Sequence, residues 1–318
     1  MDANKYKIGI IGLGPVGLTI AAHLREAGCD IAICDVLRDK INLIRSSGIH
    51  LVGKVEKTCF VNYSYYSLDE LLRDNIDILI CASKAYHVNS ILDTILQIRP
   101  QKDFFVLSAQ NGIGVAQMYA KHFEEKNIFR MVVNFAGNLN APNAVNVTFF
   151  NPPNYLASRD DSQPEVADWI AEILSSVKLN TVSLDSFELR NKIWEKTILN
   201  AALSPLCAIA KLTMREAMAN PDTHEIVEKL IMEATLVANA EEIKLPDNFV
   251  KLCIRYLKNA GDHFPSLAVD LMNKSNTEIN FMNGKIVEFG KKHYIRTPLN
   301  LTFTNLVRAI TEKNLNKY

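Results

Sequence analysis

Up to residue 135, short apolar runs rich in β-branched residues alternate with stretches whose apolar positions recur every three to four residues. The runs 7–11, 31–34, 76–81, 104–107 and 131–133 predict strands, and 16–27, 38–46, 89–98 and 115–123 predict helices. Strands that are apolar at nearly every position have no face for solvent, so they predict a parallel sheet covered by helices on both sides. The pattern loosens over 142–153, an Asn/Pro-rich stretch with one extended run at 145–150. A helix at 166–177 and a strand at 181–184 read as the outer edge of the same domain. Beyond Asp185 strand patterns nearly vanish, and helical ones follow at 187–209, 223–241, 247–259, 277–291 and 299–314. The expected organisation is a doubly wound α/β domain over 1–185 followed by an all-α domain over 186–318. The length of 318 residues, more than a single domain usually holds, agrees with two cores.

Composition narrows the partners. Lys+Arg and Asp+Glu stand at 35 each, so no excess charge points to nucleic acid or to an anionic membrane. The weakly basic tail at 313–317 reads as a solvated terminus. No apolar run reaches the roughly 18 residues of a spanning helix, and the first residues lead straight into a strand. The six cysteines form no C-x-x-C pair and no histidine stands at metal-ligand spacing, which predicts buried thiols in a reducing, cytoplasmic setting and no metal.

Gly12, Gly14 and Gly17 form G-x-G-x-x-G between the first predicted strand and the first predicted helix. The spacing has a mechanical meaning. Gly12 permits the tight turn, Gly14 lets a pyrophosphate approach the backbone, and Gly17 lets the helix lie close on the strand, while the free amides of the helix start face the anion. A Rossmann-type dinucleotide site over Gly12, Leu13, Gly14, Pro15, Val16 and Gly17 is therefore expected. Asp35, eighteen residues past Gly17, stands where this pattern puts an acid for the adenosine ribose. A carboxylate there repels a 2′-phosphate and favours NAD(H). Arg38, three residues on, could cradle that phosphate, so NADP(H) stays open. Without a ligand in view, Asp35 reads as an N-cap for the next helix and Arg38 as a solvated charge.

In the second half, Lys196, Asn200 and Ser204 fall four residues apart and share one face of the helix through KIWEKTILNAALSPL. Trp194, Ile198, Leu199, Ala201 and Leu203 leave little arc for solvent beside them, which favours a polar wall of a cleft. Taken singly, each polar residue has a plain structural reading: Lys196 as a surface lysine bonded to Asn200, Glu278 as a helix-start residue, Ser266 behind Pro265 as an N-cap.

Taken together, the residues resemble the ketopantoate reductases, or 2-dehydropantoate 2-reductases, and their D-2-hydroxyacid dehydrogenase relatives. The resemblance spans nearly the whole chain. It rests on GLGPVG at 12–17, Lys84 in ICASKAY, Gln110-Asn111-Gly112, the lysine-to-asparagine step of WEKTILN, the run PSLAVDLMNKSNTEIN at 265–280, Asn283-Gly284, and Pro298-Leu299-Asn300. It implies hydride transfer from a nicotinamide cofactor to C2 of a small 2-keto acid, giving pantoate or a D-2-hydroxy acid. By the same resemblance Lys196 is the general acid and Glu278 its acidic partner, which also touches cofactor or substrate. Asn200, Ser204 and Ser266 bond the keto acid, Asn111 lies near the nicotinamide ribose and the substrate, Lys84 serves the cofactor, and Asp270 supports the site. A lysine suits the task because an ammonium both stabilises a developing alkoxide and supplies a proton.

The chain departs from that family pattern at two places. Ser204 stands where a second asparagine is usual, and FAGNLNAPNAV at 135–145 lacks the expected histidine. With Asp35, these departures favour an NAD-linked reductase whose substrate differs from ketopantoate. They also motivate a rival reading, a cofactor-binding homologue without catalysis that serves as a redox sensor or assembly partner. His263, three residues before Ser266, reads as loop structure, and the apolar faces of Ile226, Leu230 and Val237 suit a homodimer.

Overall fold

The computed structural model describes residues 2–100 and 102–316, so Lys317 of the basic tail lies outside the described residues. The chain divides into two compact units, Met1–Gln110 with Val115–Leu189, and Asn111–Gly114 with Arg190–Tyr318.

The first unit begins β1 (Ile8–Ile11), α1 (Pro15–Glu26), β2 (Ile31–Cys34), α2 (Arg38–Ser47), β3 (Ile49–Gly53), β4 (Lys57–Cys59) and β5 (Tyr63–Tyr65). It continues through α3 (Leu68–Leu72), β6 (Ile78–Cys81), α4 (Val88–Ile98), β7 (Phe105–Ser108), α5 (Val115–Tyr119) and β8 (Ile128–Val132). It closes with β9 (Phe135–Ala141), β10 (Ala144–Phe150), β11 (Asn154–Ser158), α6 (Pro164–Ser176) and β12 (Thr181–Ser183). The main sheet has the order β12-β11-β8-β7-β6-β1-β2-β5. It is parallel from β5 to β8, whereas β11 runs antiparallel to β8. Every residue of β1, β2 and β6 is buried, as their uninterrupted apolar runs require. From β1 the chain first builds outward to β2 and β5, then returns to place β6 on the other side of β1. The β1/β6 boundary is thus the switch point at which open α/β sheets form their ligand crevice.

The extended run read at 145–150 is β10, and it belongs not to the outer edge of the main sheet but to a second sheet of order β4-β3-β10-β9. Its central pairing joins β3 to β10 across nearly a hundred residues, with Ala144 opposite His50. The turn between β9 and β10 is pinned by buried Asn143, whose Nδ2 donates to Ser47 Oγ at 3.0 Å and Gly48 O at 2.7 Å. This sheet packs on α1, which also contacts β1 and β2 of the main sheet, so Gly17–Leu24 is buried all round. That enclosure explains why polar Thr19 and His23 occur in the core; His23 Nδ1 lies 2.7 Å from Thr19 O.

The second unit is helical, with α7 (Ser186–Ala210) entering it and α8 (Met214–Ala219), α9 (Pro221–Ala240), α10 (Phe249–Lys258), α11 (Ser266–Met272), α12 (Asn283–Lys292) and α13 (Pro298–Asn314) following. The helix expected over 277–291 begins only at Asn283, after a single 3₁₀ turn at Ile279–Phe281. The interruption has a tertiary cause: the Phe281 carbonyl accepts from Ile113 N at 2.9 Å and is thereby drawn out of any helix. The dimer reading of Ile226, Leu230 and Val237 also needs correction, because Leu230 and Val237 are buried in the unit's own core, with Ile226 packed against it. Met232 and Leu236 are the exposed apolar pair of α9. All six cysteines are free, and five of them are buried. Among the described residues no helix is long and apolar enough to cross a membrane.

Burial holds the His23 imidazole down at about 4, against 6.5 for the free side chain. The unfolded chain therefore takes up this proton first as pH falls, so the stabilisation is complete above about pH 6.5 and lost progressively toward pH 4. The shift corresponds to roughly 3 kcal/mol. Chemical denaturation of the wild type and of His23→Gln between pH 7 and 4 should show a shallower loss of stability in the variant.

Candidate active site

At the β1/β6 switch point the glycines have separable duties. Gly12 has φ +84°, and a Cβ there would lie 2.3 Å from Ser83 N, so this turn is pressed against the loop that follows β6. A Cβ on Gly17 would lie 2.2 Å from Gly12 O, which leaves no substitute for the close crossing of α1 over the strand end. A Cβ on Gly14 would meet nothing within 4 Å. The space beside Gly14 is open, as a bound pyrophosphate needs. Pro15 opens α1 and has no N–H, so the first turn offers the amides of Val16 and Gly17 to an anion.

The Leu13 amide has a different task. It donates to Asp35 Oδ2 at 3.1 Å, while Leu37 N donates to Oδ1 at 3.0 Å. Lys40, only 7% exposed, completes the clasp, with Nζ 3.2 Å from Asp35 Oδ2 and 3.1 Å from Leu13 O. Asp35 is thus no N-cap of α2, whose N-cap position is Leu37; it ties the glycine turn to the end of β2. Oδ2 accepts two bonds and Oδ1 one, so Oδ1 keeps acceptor capacity for a ribose hydroxyl. Arg38 is exposed and stacks over the Tyr66 ring at 4.7 Å instead of standing free in solvent.

Lys84 follows β6 and starts a 3₁₀ turn. Its carbonyl accepts from Gln110 Nε2 at 3.5 Å, and the same Nε2 donates to Ser83 Oγ at 3.2 Å. Gln110 Oε1 accepts from Ser108 Oγ and Tyr119 OH at 3.0 and 3.1 Å. All four hydrogen-bonding positions of this buried amide are in use, and they join the ends of β6 and β7 to α5.

In the second unit the stripe on α7 is not a solvent face: Lys196 and Asn200 are half-buried and Ser204 is 5% exposed. Asn111 is half-buried, and the neighbouring Gly112 has φ +95°, with room for a Cβ denied by Phe281 O at 2.5 Å. That contact brings Asn111 to the segment carrying Glu278, which is 3% exposed. Ser266 is the exposed first residue of α11, after the buried Pro265, which holds the N-cap position. Half-buried Asp270 lies on the same short helix. His263 serves the loop before α11, its carbonyl accepting from Met214 N at 3.0 Å, and burial lowers its imidazole below the ordinary histidine value.

Two of the sequence motifs, Asn283-Gly284 and Pro298-Leu299-Asn300, prove to be framework. Glu233 of α9 accepts from the amides of Leu299 and Asn300 at 2.9 and 3.0 Å, capping α13 from another helix. Asn300 Nδ2 donates to Glu233 Oε2 at 2.8 Å, and its Oδ1 accepts from Asn283 Nδ2 at 3.0 Å. Asn283 Nδ2 also donates to Ala201 O at 2.9 Å, within the α7 stripe. Lys40, Gln110, Glu233 and these two asparagines were not identifiable as supports from sequence.

Comparisons with known proteins find relatives over nearly the whole chain. The pattern of ketopantoate reductase PanE/ApbA matches residues 8–159, and that of the ketopantoate reductase PanE/ApbA C terminal matches 188–311. A 2-dehydropantoate 2-reductase of Streptococcus pyogenes serotype M1 is 29% identical over 302 residues, covering 94% of this chain and 96% of the relative. One from Aquifex aeolicus is 25% identical, covering 95% and 96%. Among solved structures, D-mandelate dehydrogenase with NADH and anilino(oxo)acetate superposes with a TM-score of 0.85 at 26% identity, covering 97% of this chain and 99% of that one. A PanE/ApbA family ketopantoate reductase from Ralstonia eutropha JMP134 gives 0.84 at 25% identity with the same coverage. Nothing in these matches favours a role without catalysis.

The glycines yield a paired test. Gly14→Ala should unfold like the wild type in a thermal scan yet bind dinucleotide about tenfold or more weakly by fluorescence titration. Gly17→Ala should lose about 3 kcal/mol or more of stability, because its methyl group meets backbone.

Proposed function

This chain belongs to the ketopantoate reductase family and is a nicotinamide-dependent oxidoreductase of 2-keto acids; we propose that it prefers NADH and reduces a branched or aromatic 2-keto acid to the D-2-hydroxy acid, with Lys196 as proton donor. The observation that carries this reading is the stripe Lys196, Asn200 and Ser204, shielded from solvent and in the same unit as Asn111 and the buried Glu278.

The reduced nicotinamide, when bound, supplies the hydride. The protein's own residues do the rest. The amides of Val16 and Gly17 hold the pyrophosphate, Gly14 leaves it room, and Asp35 Oδ1 receives a ribose hydroxyl, with Lys84 and Asn111 as further cofactor contacts. Because Asp35 Oδ2 is committed to Leu13 and Lys40, the carboxylate cannot turn away from a 2′-phosphate, which supports the preference for NADH. Asn200, Ser204 and Ser266 bind and orient the keto acid. Lys196 donates a proton to the carbonyl oxygen as negative charge develops there, and Glu278 orients the ammonium and restores its charge balance. Ser204 is shorter than the asparagine usual at its position and leaves more room, which supports a substrate bulkier than ketopantoate. Structural likeness to a D-mandelate dehydrogenase points the same way. Met232 and Leu236, exposed by 51 and 58% and one turn apart on α9, are the face we assign to a homodimer.

The deciding assay follows NADH and NADPH oxidation separately against ketopantoate and a panel of branched and aromatic 2-keto acids. Turnover with at least one acid, faster with NADH and with a bulky side chain, is expected; oxidation of neither coenzyme with any acid refutes the reading. Lys196→Ala should lower kcat by roughly a hundredfold to ten-thousandfold, with NADH affinity nearly unchanged. Sedimentation velocity should find a dimer in the wild type and a monomer in Met232→Glu/Leu236→Glu, whereas a monomeric wild type removes the assembly proposal.

A further inference from the structure

Helix α7 carries a defect beside the residues assigned to the substrate. In an unbroken helix the Ala201 carbonyl accepts from the amide four residues on, but that residue is Pro205, which has no N–H. Ala201 is 1% exposed, so water is no general substitute. The missing donor comes from Asn283 at the start of α12, whose Nδ2 lies 2.9 Å from Ala201 O.

The orientation of that amide is dictated from behind. Glu233 Oε2 and Leu230 O both accept from Asn300 Nδ2, at 2.8 and 3.4 Å, so Asn300 must turn its Oδ1 toward Asn283. Asn283 must then present its nitrogen, and a flipped amide would set oxygen against oxygen at both contacts. Asn283 Oδ1 meanwhile has no hydrogen-bond partner, although the residue is wholly buried. The side chain is kept for its donor and not for its own satisfaction. Ala201 lies directly after Asn200 and one turn before Pro205, whose other neighbour in the stripe is Ser204.

We propose that Asn283 is a positioning residue of the reaction, a splint that replaces the helix bond lost at Pro205 and so sets the Asn200 and Ser204 side chains against the substrate. The inference rests on the assignment of Asn200 and Ser204 to the keto acid. Without the donor, α7 must open or rotate its peptide at Ala201, and displacements of about 1 Å at a positioned group are costly to rate.

The test is a four-protein cycle: wild type, Asn283→Ala, Pro205→Ala and Asn283→Ala/Pro205→Ala. Asn283→Ala should lower kcat/KM for the keto acid at least tenfold while NADH affinity stays within about twofold. Pro205→Ala returns a backbone N–H to Ala201 O, so the double variant should recover most of that loss. A single variant that fails to fold beside a double variant that folds and turns over supports the splint equally. Wild-type kcat/KM in Asn283→Ala, or a double variant as impaired as the single one, overturns it. If the wild type itself reduces no 2-keto acid, the assigned reaction fails and the positioning role falls with it; recovery or non-recovery of the thermal midpoint in the double variant then decides whether the splint exists as a structural bond.

Discussion

A main-chain amide or carbonyl that leaves regular structure inside the protein must find another partner, because burying it unpaired costs about 1–3 kcal/mol. Most residues around the candidate site answer to this constraint. The Leu13 amide and carbonyl are taken by Asp35 and Lys40, and the Ala201 carbonyl by Asn283. The amides of Leu299 and Asn300 are taken by Glu233. The Leu13 and Ala201 points adjoin residues that the family reaction would use, whereas Leu299 and Asn300 belong to the framework; Lys40 and Asn283 are buried, and Asp35 and Glu233 are partly so. Such supports cannot be exchanged for apolar groups of similar size, since the main-chain partner would remain.

The two units solve this problem with different means. In the first, a parallel sheet brings several strand ends to one edge, and short loops there must cross closely. Glycine makes the crossing possible at positions 12 and 17, while position 14 leaves room for a ligand. In the second, the functional side chains stand on a helix, and the support comes from neighbouring helices through the chain Glu233, Asn300, Asn283 and Ala201. The proline in α7 is tolerated because this chain of amides replaces the bond it removes.

The legible and illegible parts of the structure divide along the same line. The five strands read from uninterrupted apolar runs all occur in the main sheet, since a strand buried on both faces and built of apolar residues leaves that trace wherever it lies. The strands β3, β4, β5, β9 and β11 were missed. Of these, β3, β4, β5 and β9 are short or half-exposed, and β3 finds its partner far along the chain in β10, so local pattern says little about their pairing. The late start of α12 at Asn283 was missed because a loop from residues 111–114 claims the Phe281 carbonyl. One miss was avoidable: Thr213 and Glu216 form a capping box that marks α8 in the sequence.

By itself the order of residues determined what depends on neighbours within a turn or a strand: the alternation of strand and helix, the glycine turn, and the common face of Lys196, Asn200 and Ser204. Spacing along a regular element translates directly into direction in space. Tertiary structure decided which polar side chains answer which main-chain groups. Asp35 became a clasp instead of a helix cap, the hairpin of β9 and β10 became a cover for α1, and Asn283 became the donor that α7 lacks. These outcomes depend on atoms tens of residues apart meeting within about 3 Å, a distance that chain separation does not encode.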